Sequence, residues 1–184
     1  MFLMAAKAYL ESRAVKRTSA FTLVELMGTI AVIGILAGLT LGGVGAVRRH
    51  GAVNQAKVEI EALQAACERY YADNQSYPTT NNPPDPASSF APTAAAYTNI
   101  GSVLFSSLFG TNQYNKPPYT KRYFEPKASM VSSTNSPKAY FIDPWGYAYG
   151  YNSDGTNPPL IWSTAGQTSG GGNTNKWITS WPKM

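Results

Sequence analysis

The sequence predicts an α+β fold in which one long amino-terminal helix packs on a small antiparallel β-sheet. An apolar run from Phe21 to about Val47 is long enough to cross a bilayer as a helix. A helical pattern of apolar residues then continues to about Ala72. Short aromatic and β-branched runs separated by turn residues follow in the carboxyl-terminal part, and a sheet made from them would bury one face against the helix.

Positive charge is concentrated before the apolar run. The first 20 residues hold four of the 15 basic residues and one of the 10 acidic ones, so the net charge of +5 is largely a property of this segment. Basic residues in front of a membrane helix keep that end in the cytoplasm, which predicts that the rest of the chain lies across the membrane. The remainder is nearly balanced in charge, and a broad nucleic-acid-binding surface is not indicated.

Glu25 is the one ionisable residue inside the apolar run. A carboxylate within a bilayer costs about 3 kcal/mol on insertion scales, so such residues usually have a function. A second interpretation stays open, in which Glu25 is close enough to the start of the helix to reach the interface. A secretory signal is cleaved after its apolar core, whereas here the cleavage site would precede the run and leave the helix in the mature protein.

The second half of the long helix is amphipathic. Its apolar residues are spaced three and four apart, which places them on one face that we expect to pack on a globular head. Cys67, the single cysteine, is expected to be a small core residue and can form no internal disulfide. His50, at the junction, is expected to be solvated. The residues of the apolar face are Val53, Ala56, Ile60, Leu63, Cys67 and Tyr70.

The head is predicted to begin with a loop and to continue with a short helix and a sheet. Residues 78–100 are rich in Pro, Asn, Thr, Ser and Ala, which is typical of a surface loop, and a helix is predicted around 101–109. Residues 143–146, Asp-Pro-Trp-Gly, have the composition of a hairpin turn. The predicted strands are 138–142, 147–151, 160–163 and 177–181, with 122–125 as a further candidate.

The segment Ser19-Ala20-Phe21-Thr22-Leu23-Val24-Glu25-Leu26 closely resembles the cleavage signal of type IV pilins and type II secretion pseudopilins. The resemblance implies that a prepilin peptidase cuts between Ala20 and Phe21 and that the new amino group of Phe21 is methylated. It also implies that Glu25 pairs with the Phe21 amine of a neighbouring subunit, and two buried opposite charges cost less than one. The residue before the cut is usually Gly, and the Ala20 found here is small enough to be accepted.

Three further segments resemble the major pseudopilin of type II secretion systems, namely 70–80, 143–149 and 162–181. The resemblance implies a pilin-like fold and a structural subunit of the pseudopilus, which drives protein export across the outer membrane. The alternative is a type IV pilin used for adhesion, motility or DNA uptake. The disulfide-closed loop that is usual in major type IVa pilins is impossible with one Cys, which favours the pseudopilin.

This resemblance divides the chain into a leader at 1–20, a transmembrane and assembly helix at 21–47, the amphipathic half of the helix at 48–76 and a globular head at 77–184. The implied partners are a prepilin peptidase, copies of the chain and minor pseudopilins in a helical filament, an inner-membrane assembly platform and the lipid bilayer. No nucleic acid is expected. The implied location is the inner membrane with the head in the periplasm, and then the periplasmic pseudopilus.

Gly42 and Gly43 weaken the helix near the end of the apolar run, because Gly costs about 1 kcal/mol relative to Ala in a helix. Many pilins have a Pro in this region, where the helix unwinds in the filament. We hypothesise that the two glycines permit the same unwinding here.

Major pseudopilins commonly bind calcium, but we do not expect a calcium site here. No other metal or cofactor is expected either. The resemblance places that site in the loop before the last strand, here 166–175, where the family uses Asp side chains. From Gly155 to Met184 the sequence has no Asp or Glu, and calcium affinity falls as carboxylates are removed. The loop is therefore expected to bind calcium weakly or not at all, and Asp154 is a nearby carboxylate that could reach it.

Other functions have weaker support. An enzyme is not expected, because the single His50 adjoins the membrane run, no phosphate-binding loop is present, and Asp143 is better explained as a turn residue. A carbohydrate-binding head is suggested only by tryptophans that we expect to be in the core, at 145, 162, 177 and 181. A head that binds single-stranded DNA is suggested only by basic residues among aromatic ones, which also suit a solvated loop; these are Lys116, Lys121, Arg122, Lys127 and Lys138 among Tyr114, Tyr119, Tyr123 and Phe124.

Overall fold

The computed structural model describes residues 21–79, 92–133, 138–168 and 176–182, without the side chains at 41–44. The predicted leader at 1–20 therefore lies outside the described residues, as do much of the predicted loop at 78–100 and most of the loop at 166–175. The chain divides into two compact units, Met1–Val44 and Gly45–Met184.

Two helices and three strands make up the regular structure of the described residues. Helix α1 comprises Leu23–Asn74 and helix α2 comprises Ala95–Phe109, with a short 3-10 turn at Ala128–Met130. The strands form one antiparallel sheet in the order β1–β2–β3. The predicted α+β class, a long helix with a small antiparallel sheet, is confirmed. Strand β1 is Gly150–Asn152, β2 is Leu160–Ser163 and β3 is Ile178–Thr179.

The long helix ends close to the predicted position, at Asn74. Gln75 follows with φ of 55°, a left-handed conformation that stops the helix, while its N–H still donates to the Tyr71 carbonyl at 2.8 Å. The predicted apolar face is confirmed by burial, since its central residues are at most 2% exposed and Val53 and Tyr70 are half-buried at its ends. The central residues are Ala56, Ile60, Leu63 and Cys67.

The main core of the head joins α1, α2 and the sheet. Helix α2 begins at Ala95, earlier than predicted, and its Phe105 ring lies 5.1 Å from the ring of Phe141. Leu63 of α1 and Ile161 of β2 belong to the same buried cluster. The apolar faces of the helix and the sheet therefore cover each other, as layered folds require.

The hairpin predicted around Asp143 is present as a turn, but the strands predicted on its two sides, 138–142 and 147–151, are wrong in extent. Residues 138–149 pair only through isolated bridges, Val131 with Phe141 and Ile142 with Ala148, and a regular strand begins at Gly150. The reason is the Asp143 carboxylate, whose Oδ1 accepts the backbone N–H groups of Trp145 and Tyr147 at 3.0 and 2.9 Å. The backbone folds around the Asp143 side chain. Few residues on either side are then left to form a regular β-ladder.

The candidate strand at 122–125 is wrong, and the strand predicted at 177–181 is shorter than expected. The N–H groups of Tyr123 and Phe124 donate to the Leu108 carbonyl at 2.7 and 3.0 Å. These bonds satisfy a carbonyl in the last turn of α2, so the segment completes a helix end and adds no strand to the sheet. The last strand, β3, has only two residues.

Candidate functional site

The amino-terminal end of α1 is closed by Thr22 and Glu25. The Thr22 hydroxyl accepts the N–H of Glu25 at 3.2 Å, and the Glu25 Oε2 accepts the N–H of Thr22 at 2.9 Å and its hydroxyl at 2.8 Å. This reciprocal arrangement is a capping box, which satisfies N–H groups that the first turn of a helix leaves without partners. Glu25, which was predicted from its charge and from the resemblance to the pilin signal, is thus held in a fixed place by Thr22, a neighbour that the sequence analysis missed.

The Glu25 carboxylate keeps one oxygen available. Both of its bonds go to Oε2, and within the described residues Oε1 has no hydrogen-bond partner. Phe21 precedes the helix and its side chain is 83% exposed. A carboxylate in this position can accept a charge-assisted hydrogen bond from an ammonium group of another chain without losing its own cap.

The helix that carries Glu25 is long and apolar enough, by length and composition, to cross a membrane. Its first half exposes large apolar side chains, with Leu23 and Leu39 more than 70% exposed and Ile30 and Ile33 about 60% exposed. An apolar surface of this size is typical of a segment that lipid or other protein covers. The helix therefore points to membrane anchoring.

The remaining residues predicted in the amino-terminal segment are only partly described. Ala20 lies outside the described residues. Helix α1 is continuous through Gly42 and Gly43 in the single chain. The hypothesis that these glycines unwind in a filament concerns the assembled state and stays a hypothesis.

Two carboxylates of the head, Asp154 and Asp143, are already engaged in hydrogen bonds. Asp154 accepts the N–H groups of Thr156 and Asn157, both at 2.8 Å, within its own turn. The bond from the Asn157 N–H is the main reason that the pKa of the Asp154 carboxyl lies well below its usual range. Asp143 is buried, and its Oδ2 accepts the Ser163 hydroxyl at 2.6 Å. Burial raises the pKa of Asp143, and these hydrogen bonds oppose the rise.

The start of the loop offers only neutral oxygens. The Thr164 hydroxyl is buried and has no hydrogen-bond partner among the described residues. Calcium takes about six to eight oxygen ligands, and carboxylates supply the affinity. In the part of the chain that the structure describes, no group of three or more His, Cys, Asp or Glu could hold a metal ion. The described start of the loop therefore offers no carboxylate to a calcium ion, and weak or absent calcium binding stays a prediction.

Two of the basic residues considered for DNA binding, Lys121 and Arg122, are engaged with acidic side chains. Lys121 forms an ion pair with Asp73, and Arg122 forms one with Glu125. The Arg122 guanidinium also lies 4.1 Å from the centre of the Phe109 ring. The Tyr114 ring stacks on the Phe109 ring, with the ring centres 5.4 Å apart. These contacts are typical of aromatic side chains packed in a protein with charged groups at its surface. They are less typical of a surface on which the nucleobases of single-stranded DNA stack.

His50, Asp143 and Cys67 lie in surroundings that agree with the predictions made for them. His50 lies exposed on α1, and Asp143 organises its turn. Cys67 is fully buried, and burial raises the pKa of its thiol to about 12, so it is present as an unreactive thiol.

Comparisons with known proteins agree with this description. The family model described as the prokaryotic N-terminal methylation motif matches residues 15–41. The chain is similar to the type II secretion system core protein G of Pseudomonas aeruginosa, with 29% identity over 164 residues, which are 87% of this chain and 92% of that protein. The Escherichia coli K12 protein of the same name is 34% identical over 94 residues, 50% of this chain and 65% of that protein. No solved structure gives a significant match.

The long apolar helix, the small antiparallel sheet and the methylation motif resemble those of the type IV pilin-like family. The relatives found are type II secretion system core proteins G, which are major pseudopilins. The similarity favours a pseudopilin over a pilin used for adhesion, motility or DNA uptake.

Proposed function

We propose that the mature chain is a structural subunit of a type II secretion pseudopilus, whose assembly drives protein export across the outer membrane. The observation that carries the proposal is the similarity along 92% of a type II secretion system core protein. This similarity extends over 87% of the chain and so includes the head. The amino-terminal segment alone is common to all pilin-like machines and could not distinguish among them.

The subunit is first processed. A prepilin peptidase removes the leader between Ala20 and Phe21, and the new amino group of Phe21 is methylated. The match of residues 15–41 to an N-terminal methylation motif supports both steps. Because the cut precedes α1, the mature chain keeps the whole apolar helix and begins with an ammonium group at its amino terminus.

Assembly then joins the Phe21 ammonium group of one subunit to Glu25 of its neighbour. The cap from Thr22 holds the Glu25 carboxylate in place through Oε2 and leaves Oε1 for the incoming charge. Within an apolar bundle of helices, an unpaired carboxylate and an unpaired ammonium are each costly, and their pairing removes both penalties. The pair thus favours the assembled state and fixes the axial register of neighbouring helices.

The location and partners follow from the processing. The basic leader keeps the amino terminus in the cytoplasm, α1 lies in the inner membrane and the head lies in the periplasm. The partners are the prepilin peptidase, copies of the same chain, minor pseudopilins, the assembly platform and lipid. The chain works as a structural element without catalysis, nucleic acid or a bound cofactor.

Helix unwinding at Gly42 and Gly43 is proposed to let the helix extend as the subunit enters the filament. Replacing both glycines with Ala would stabilise the local helix by about 2 kcal/mol, which disfavours unwinding by about thirtyfold. We expect shorter and fewer sheared filaments from Gly42→Ala plus Gly43→Ala, counted by electron microscopy. Gly28→Ala, on the same helix with no atom within 4 Å of the added Cβ, is the control. Unchanged filament number and length would refute the role of the glycines.

The proposed machine is tested by deleting the gene for this chain in its own host. We expect exported enzymes to accumulate in the periplasm, and a plasmid copy of the gene to restore their secretion. Normal secretion together with lost twitching, adhesion or DNA uptake would contradict the proposal and support the pilin alternative.

A further inference from the structure

The last strand of the head has little backbone pairing to hold it. Strand β3 has two residues, and its register joins Thr179 to Trp162 and Ser163 to Ile178. The Ser180 N–H donates to the Ile161 carbonyl at 2.9 Å just beyond the strand. So short a ladder needs further contacts to be stable.

An aromatic cluster centred on Trp162 supplies these contacts. The Trp162 ring is fully buried and lies parallel to the Trp177 ring, with centres 6.2 Å apart and planes at 9°. Trp181 meets Trp162 edge-on at 5.9 Å. Stacked and edge-on geometries are the favourable ones for aromatic rings. The two tryptophans that flank β3 are thus both packed on one side chain of β2.

Trp162 is itself held by two other parts of the head. Its indole N–H donates to the Tyr97 hydroxyl of α2 at 3.0 Å, and the Tyr97 ring meets it edge-on at 5.9 Å. Gly150 of β1 makes room for the ring, since a Cβ there would lie 2.0 Å from Trp162 Cε2. The cluster therefore joins α2, β1, β2 and β3.

The other end of the loop is fixed by hydrogen bonds and close packing. The Ser163 hydroxyl donates to Asp143 and accepts the N–H of Ala165 at 3.0 Å. Gly166 has φ of 82°, and a Cβ there would lie 2.9 Å from Trp145 Cδ1. No cation is needed for any of these contacts.

We propose that the Trp162 cluster takes the place of calcium in this chain: it holds β3 on the sheet and lets the head fold to full stability without a metal. The resemblance to major pseudopilins implies a cation at the loop 166–175, but the donors present do not fit one. The stacked tryptophans hold β3, the strand that follows this loop, by apolar burial. The proposal concerns the fold of the head and is independent of the machine in which the subunit works.

The test measures thermal unfolding of the full-length protein in detergent by calorimetry, in chelator and in millimolar calcium. We expect the same Tm for the wild type in both buffers, within about 1 °C, because a ligand that does not bind cannot shift the transition. Trp177→Ala should lower the Tm by about 10 °C in both buffers. Tyr119→Ala, which truncates an aromatic side chain that is 68% exposed, is the control and should change the Tm by about 2 °C at most.

Two results would overturn the proposal. A wild-type Tm raised by several degrees in calcium would show that the head holds the metal after all. A Tm for Trp177→Ala equal to that of the control would show that the stacked ring does not hold the strand. Should Trp177→Ala fail to fold, Trp177→Phe keeps an aromatic ring in the stack, and its Tm should lie below that of the wild type by less than about 10 °C, with no recovery in calcium.

Discussion

Replacing Glu25 with Val is expected to lower pseudopilus assembly by more than about a hundredfold while leaving leader cleavage intact. The substitution removes the carboxylate and leaves the ammonium group of a neighbouring Phe21 without a partner among apolar helices. Breaking a buried pair by removing one member costs about 3–5 kcal/mol, which corresponds to a factor of at least about a hundred in the assembly equilibrium. The measurement is the amount of sheared filament relative to mature subunit in the membrane.

Thr29→Val is the matched control for Glu25→Val. It also replaces a polar residue of α1 with Val, but the Thr29 hydroxyl donates only to the Leu26 carbonyl of its own helix, at 2.8 Å. We expect near-normal filaments from it. Normal filaments from Glu25→Val, or equal losses from both variants, would refute the charge pair.

Gly150→Ala is expected to destabilise the head by about 3 kcal/mol or more. The added Cβ would lie 2.0 Å from Trp162 Cε2 and 2.4 Å from its Nε1, so the ring or the strand must move. Overpacking a core usually costs about 1–3 kcal/mol of stability. The cost at Gly150 should be at the upper end of this range, because the Trp162 ring is buried and is also held by Tyr97. Chemical unfolding of the full-length protein measures the change.

The same substitution at Gly51 should have the opposite sign. Gly51 lies within α1, and no atom is within 4 Å of an added Cβ, so Ala should stabilise the helix by about 0.5–1 kcal/mol. Gly150→Ala should cost less in a Trp162→Leu background than in the wild type, because the ring that clashes is gone. Equal effects of Ala at positions 150 and 51 would contradict the packing described here.

The helical part of the fold could be predicted from the sequence because its pattern is local. The residues that face the core in α1 recur every three or four positions, and burial of Ile60 and Leu63 follows from that spacing alone. The strand at Leu160–Ser163 was also predicted, with the same bounds. The cap at Thr22 was missed although its signal, a Thr three residues before a Glu at the start of an apolar run, is present in the sequence.

The parts of the fold that were predicted wrongly depend on contacts between residues that are distant in the sequence. The segment 122–125 is rich in aromatic residues, as strands are, but its N–H groups bond to Leu108 at the end of α2. The strands around Asp143 were overestimated because the reach of its carboxylate to Tyr147 is a property of the folded turn. The fit of Trp162 over Gly150 likewise joins residues whose pairing no local pattern reveals.

Intact-mass spectrometry of the full-length protein, expressed with and without an active prepilin peptidase, tests the central claim most directly. We predict that the peptidase yields a mass equal to residues 21–184 plus one methyl group, and that the chain stays uncut without it. That result would establish the cut between Ala20 and Phe21 and the modification of Phe21. An uncut chain in the presence of a peptidase that processes a control prepilin would contradict the account, because α1 would then be an ordinary membrane anchor.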